Sequence, residues 1–238
     1  MAELQDREMP LEEHLAELRQ RLLISLAAVG VLSLAIALLF GRRIISLLIS
    51  HFLPAEVKVI ALNPVEYAYT WFLVVLFFGI YLALPVIIYE AFRFAEPGLY
   101  PNERRFIIKV VPTSFILFTL GVLFSFFLLT PLSAKFLVGY AEGSAEPMLS
   151  LHRFVSFIAF MLISAGIIFQ IPLVVAFLVK SELASIEQLR RWRKYVYIAF
   201  LALSVTLAPD PTPVTPFAIA ATLIFIFELS LIFSRYLL

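Results

Sequence analysis

Few side chains in this sequence could do chemistry, and most of those that could are acids. The segment FAEPGLYPNERR (94–105) places Glu96 and Glu103 among Arg104 and Arg105 on a stretch stiffened by Pro97 and Pro101 and bent by Gly98. Phe94, Leu99 and Tyr100 add apolar surface beside the acids. A rigid loop carrying aromatics and a carboxylate suits recognition, because preorganisation reduces the entropy lost on binding. A second acid, Glu17, lies in HLAELRQRL (14–22) beside Arg19 and four residues before Arg21. Two readings stay open for each acid. Glu17 either pairs internally with Arg21 at helical i, i+4 spacing or faces outward. Glu103 either neutralises Arg104 or receives a partner. Gln170 and Glu228 fall inside apolar runs, where an ionisable group is functional by default unless it reaches the interface or finds a partner. For Glu228 the plain alternative is a reach to the membrane surface; for Gln170 it is a helix-to-helix hydrogen bond.

What is missing narrows the chemistry further. With no Cys there is no disulfide, thiolate nucleophile or Cys-based metal site, and His14, His51 and His152 all lie outside the apolar runs. The phosphate-binding G-x-x-x-x-G-K-[ST], the zinc-binding H-E-x-x-H and the nucleophile elbow G-x-S-x-G are not found. No catalytic residue, metal or cofactor is therefore expected, and a binding or scaffolding role is favoured over an enzyme. The remaining class is a proton-coupled secondary transporter or channel using Glu228 as a relay. That reading asks for paired mid-depth titratable groups and two related halves. Neither is evident.

The elements that position these residues are membrane helices. The chain is 62% hydrophobic and 15% charged, with 24 Phe and a mean hydropathy of +1.00, whereas soluble domains are roughly 25% charged. Spanning a hydrocarbon core takes roughly 20 apolar residues. Runs 22–40, 70–89, 110–130 and 154–179 meet that length. Runs 195–208 and 214–233 flank the proline-dense PDPTP (209–213 with Ala208 before it) and read as a helical hairpin of two short spans. The expectation is an all-α polytopic protein of six transmembrane helices, a single integral membrane domain over 1–238, with an amphipathic helix at 10–21 whose stripe is Leu11, Leu15, Leu18 and Leu22. The first 21 residues are polar, so no cleavable signal is expected, and Met9 could serve as an alternative start. Six spans place both termini on one side. Arg7, Arg19, Arg21, Arg93, Arg104, Arg105, Lys109, Lys180, Arg190, Arg191, Arg193, Lys194 and Arg235 then share that side, against Arg42, Arg43, Lys58, Lys135 and Arg153 opposite, a ratio of 13 to 5. By the positive-inside rule both termini face the cytoplasm. The net charge of +1 carries no suggestion of nucleic acid.

HLAELRQRL (14–22), FAEPGLYPNERR (94–105), FQIP (169–172) and FELSLIFSR (227–235), in this order, resemble TatC, the multispanning core of the twin-arginine protein translocase. The resemblance spans nearly the whole chain. It implies a receptor for signal peptides of folded exported cargo, in which cytoplasmic carboxylates hold consecutive arginines. Here those acids fall on Glu17 and Glu103, with Phe94, Leu99 and Arg19 at the binding patch and Pro97, Tyr100, Arg104 and Arg105 supporting it. The chemistry is apt: a guanidinium is planar, permanently charged and matches a carboxylate fork, so neighbouring arginines need acids at a fixed separation. The resemblance also implies TatA-type and TatB-type single-span partners, assembly of several copies in the cytoplasmic (inner) membrane, and energy from the proton-motive force. Two departures stand out. Position 170 is Gln where a number of family members carry Glu, and APDPTPVTP (208–216) differs from the expected TPPD turn, so no role is transferred to Asp210.

Overall fold

A computed structural model describes residues 11–53, 57–95, 101–139, 148–180, 183–209 and 212–237. Long apolar runs with few breakers become helices because every backbone polar group must be satisfied within the segment when no water is at hand. The helices are α1 (Leu11–Leu39), α2 (Gly41–Phe52), α3 (Pro64–Ala95), α4 (Pro101–Phe124), α5 (Thr130–Gly139), α6 (Leu151–Ile168), α7 (Ile171–Lys180), α8 (Ile186–Arg191), α9 (Arg193–Leu207) and α10 (Val214–Leu237). A π-helical segment, Ser125–Leu129, joins α4 to α5 without a break. Five stretches are long and apolar enough to cross a membrane: Glu12–Leu39, Pro64–Phe94, Val110–Gly139, Leu151–Lys180 and Val214–Ile232. The protein is thus an all-α polytopic membrane protein.

Residues group into two compact units. The first comprises Met1–Leu39 and Val75–Pro112. Within it α1 continues from the expected amphipathic segment straight into the first span, 29 residues long. Leu15 and Leu22 of the apolar stripe are exposed, as are Leu26, Val31, Leu34 and Leu38 further along. Where α1 meets α3 the backbones come close: a Cβ on Gly79 would run into Ser33 Oγ and stand 2.9 Å from Ser33 Cα.

The second unit comprises Phe40–Val74 and Thr113–Leu238. Val155, Ile158 and Met161 of α6 and Ile219 and Leu223 of α10 are fully buried in it. α10 packs on α7, α8 and α9, burying Val175, Leu189, Phe227 and Leu231 in one cluster. At one end, α2 buries Ile45, Leu48 and Phe52, and two short strands, β1 (Lys58–Ile60) and β2 (Met148–Ser150), pair in parallel with Val59 opposite Leu149. The ladder was not foreseen from the sequence, since three-residue strands leave no periodic signal.

Three further differences have physical reasons. The last helix is not short. α10 runs 24 residues, about 36 Å, because Glu228, which interrupts the apolar pattern, finds partners and lets the helix continue. α9 is indeed short, at 15 residues or about 22 Å. The expected single run 154–179 is divided at Phe169 and Gln170. Pro172 has no N–H to give the Ile168 carbonyl. The chain tightens there, with Gln170 N–H donating to Ile167 O at 2.9 Å, and α7 restarts as Leu173 and Val174 N–H both donate to Gln170 O. Finally, 101–105 is not loop but the first turn of α4, with Pro101 at its first position, where no donor is lost.

Candidate functional site

On α1, His14, Glu17 and Arg21 follow one another at spacings of three and four, and on α3 Glu90 and Phe94 are four apart, so each set lies along one helix face. The two faces meet in two rungs. His14 stacks on Phe94, ring centroids 4.4 Å apart and planes inclined by 23°. One step deeper, Arg21 bridges two acids: Nε and Nη2 both donate to Glu17 Oε1, at 2.9 and 2.5 Å, and Nη1 donates to Glu90 Oε2 at 3.0 Å. All three side chains are largely covered, at 18% exposure for Arg21, 23% for Glu17 and 12% for Glu90. Two carboxylates and one guanidinium leave a net charge of −1. Close by on α3, Arg93 donates to Tyr89 Oη at 2.9 Å and lies over its ring.

This geometry resolves one open reading and adds a residue. Glu17 does pair with Arg21, one turn along α1 from His14, which stacks on Phe94. Arg19 points elsewhere on α1 and is exposed. Glu103, Arg104 and Arg105 fall in the first turn of α4, but their side chains, like Pro97, Leu99 and Tyr100 altogether, lie outside the described residues; so does Asp210. Glu90 was missed. It stands one residue past the end of the run 70–89, where an acid reads as an interface charge.

Both polar residues of the later spans are partnered. Gln170, at the break between α6 and α7, accepts from Ser114 Oγ at 2.7 Å and donates through Nε2 to the carbonyls of Ser114 (3.1 Å) and Gly166 (3.4 Å). It is a cross-brace to α4. Nearby the helices touch backbone to backbone, since a Cβ on Gly121 would stand 2.5 Å from Ala165 O. Glu228 accepts from Arg193 Nη2 at 2.6 Å and Tyr197 Oη at 2.5 Å. A carboxylate so held is an anchor between α9 and α10, which counts against its use as a free proton relay.

A further acid went unremarked in the sequence. Glu66, in the first turn of α3, is buried. Its Oε1 accepts from Ser150 Oγ (2.5 Å) and His152 N–H (2.9 Å), and its Oε2 from Leu62 N–H (2.5 Å). Ser150 in turn caps α6 by accepting from Arg153 N–H. Glu66 therefore ties the starts of α3 and α6 and the β ladder into one knot. Next to it Thr70 Oγ1 lies 3.3 Å from His152 Nδ1, so the arrangement holds charges and helix ends in place.

Comparison with known proteins agrees with this picture. The family model described as Sec-independent protein translocase protein (TatC) matches residues 13–221. The chain is 36% identical over 233 residues to a protein of that name from Methanocella arvoryzae, covering 98% of this chain and 96% of the relative. It is 36% identical over 231 residues to the Aquifex aeolicus protein of the same name, covering 95% of each. A crystal structure described as the twin arginine translocase receptor TatC superposes with a TM-score of 0.79 at 35% identity, covering 94% of this chain and 98% of that one. With a matched model over most of its length, full-length relatives and a shared fold, this multi-pass membrane protein belongs to the TatC family of Sec-independent protein translocase components.

Proposed function

We propose that the protein is the twin-arginine signal-peptide receptor and core scaffold of a translocase that exports folded proteins across the cytoplasmic (inner) membrane. The observation that carries this reading is the zipped face of α1 and α3, on which His14 stacks on Phe94 and the partly covered acids Glu17 and Glu90 share Arg21. Glu17 and Glu103 each receive one guanidinium of an incoming arginine pair, with Phe94 and Leu99 limiting access of water and Arg19 at the rim. Pro97, Tyr100, Arg104 and Arg105 support the segment. The whole chain acts as one integral membrane domain with six spans, α9 being the fifth, and both termini are cytoplasmic. The parallel β1–β2 pair supports this topology, because each strand leads directly into a span and so both spans start from one face. Single-span TatA-type and TatB-type subunits, further copies of this chain and the proton-motive force complete the machine.

Binding of a twin-arginine peptide to the purified full-length protein tests the proposal. Losing one acid from a desolvated charge pair costs about 2–5 kcal/mol, against about 1 kcal/mol or less in a fully wet patch. At about 1.4 kcal/mol per tenfold, Glu17→Ala and Glu103→Ala should each weaken binding more than tenfold. Glu103→Gln should be nearly as damaging, Glu96→Ala should do little, and a lysine-lysine peptide should bind poorly. Photocrosslinkers at 17, 94 and 103 should capture the peptide. Unchanged affinity in the Glu17 and Glu103 variants would reduce these acids to neutralising their neighbouring arginines.

A further inference from the structure

The receptor patch is already occupied by a guanidinium belonging to the chain itself. Arg21 spends Nε and Nη2 on one oxygen of Glu17 and Nη1 on one oxygen of Glu90. Among the described residues Glu17 Oε2 and Glu90 Oε1 receive no hydrogen bond. An Arg–carboxylate pair is strongest when two donors meet two oxygens in a parallel fork. Arg21 instead splits its fork between two acids and satisfies neither fully. The pair on α1 is also made within one helix, where i, i+4 contacts contribute only a few tenths of a kcal/mol, so the contact can be exchanged.

Resting on the receptor reading above, we propose that Arg21 is a placeholder: an internal arginine that occupies Glu17 until a ligand guanidinium replaces it, while Glu90 receives Arg21 when it is displaced. Without a resting partner, Glu17 and Glu90 would face each other as like charges on adjoining helices. With Arg21 between them the empty site is stable and still carries a charge of −1, which attracts cations. On binding, the incoming arginine takes Glu17 in a two-oxygen fork and Arg21 turns its donors to Glu90, whose second oxygen is unused. Glu90 is thereby a specificity-determining positioning residue: it keeps the placeholder from competing at full strength. A lysine ligand gives up the fork and cannot displace Arg21, so the placeholder sharpens the preference for arginine over any cation.

The test is binding of a twin-arginine and a lysine-lysine peptide to full-length protein in nanodiscs, over a series of salt concentrations. Arg21→Gln should tighten twin-arginine binding by about two- to fivefold, the scale of a partly exposed ion pair. It should tighten lysine-lysine binding by more, so that discrimination falls. Its salt dependence should steepen, because the empty site changes from −1 to −2. Glu90→Gln should weaken twin-arginine binding in the wild-type background and have a smaller effect in the Arg21→Gln background. Arg21→Lys, which keeps the charge and loses the fork, should lie between wild type and Arg21→Gln, and it carries the comparison if Arg21→Gln does not fold. Weaker twin-arginine binding by both Arg21 variants, or additive Arg21 and Glu90 effects, would overturn the placeholder while leaving the receptor reading intact. Unchanged binding in Glu17→Gln would overturn the receptor reading itself.

Discussion

Gln170 uses its amide in both senses, accepting from the Ser114 hydroxyl and donating to carbonyls on α4 and α6. Gln170→Leu removes all three contacts from a setting without water, where such interhelical bonds contribute about 0.6–2 kcal/mol. We expect a loss of that size in denaturant-titrated unfolding in detergent and a partial drop in transport. Gln170→Glu should be tolerated, because a neutral carboxylic acid can still accept from Ser114 and donate once. Wild-type stability in Gln170→Leu would make the residue mere packing. At this scale the sequence was readable where a polar side chain sat in the middle of an apolar run, as with Gln170 and Glu228. It was less readable near the run ends. Glu66 and Glu90 pass for ordinary interface charges there, and only the helices they join, 84 and 69 residues distant in the chain, reveal what they hold.

At the scale of elements, the glycines divide by what faces them. A Cβ on Gly30 meets nothing within 4 Å, while on Gly121 it would press into the backbone of Ala165 and Gly166. Gly30→Ala should therefore be neutral or stabilising by up to about 1 kcal/mol from helix propensity alone. Gly121→Ala must push α4 and α6 apart, at about 1–3 kcal/mol for overpacking. Thermal unfolding of the two variants side by side checks the ranking; equal stabilities would mean the α4–α6 contact yields without strain. Helix positions were legible because span length follows from bilayer thickness. The division after Phe169 was not, because Pro172 acts backwards on the Ile168 carbonyl inside a run that stays apolar throughout. The π segment was equally hidden, since one wide turn among Phe126, Phe127, Leu128 and Leu129 changes no composition.

For the whole molecule, orientation rests on the distribution of lysine and arginine, and the lack of native Cys makes it simple to measure. Single cysteines at Asn102 and Gln188 should be shielded from an impermeant thiol reagent in intact cells, and those at Glu56 and Ser144 should label. Labelling at 102 would reverse the topology and remove the cytoplasmic receptor. The length of α9, about 22 Å against a hydrocarbon core of about 30 Å, makes a second prediction. A spin label at Thr212 should lie deeper than the outer headgroups, in locally thinned bilayer; a depth equal to that of a label at Tyr140 would contradict it.

The knot at Glu66 has a consequence for how the chain is made. Its donors Ser150 and His152 follow it by 84 and 86 residues. At a synthesis rate of roughly 5–20 residues per second, Glu66 waits roughly 4–17 s before those donors exist. During that interval the start of α3 has nothing to clasp, and the rest of α3, then α4, the π segment and α5 are made before the residues that begin α6. Closure of the knot therefore waits until three spans precede it in the growing chain, and a chain in which the starts of α3 and α6 fail to meet leaves exposed to water a carboxylate that the folded protein buries.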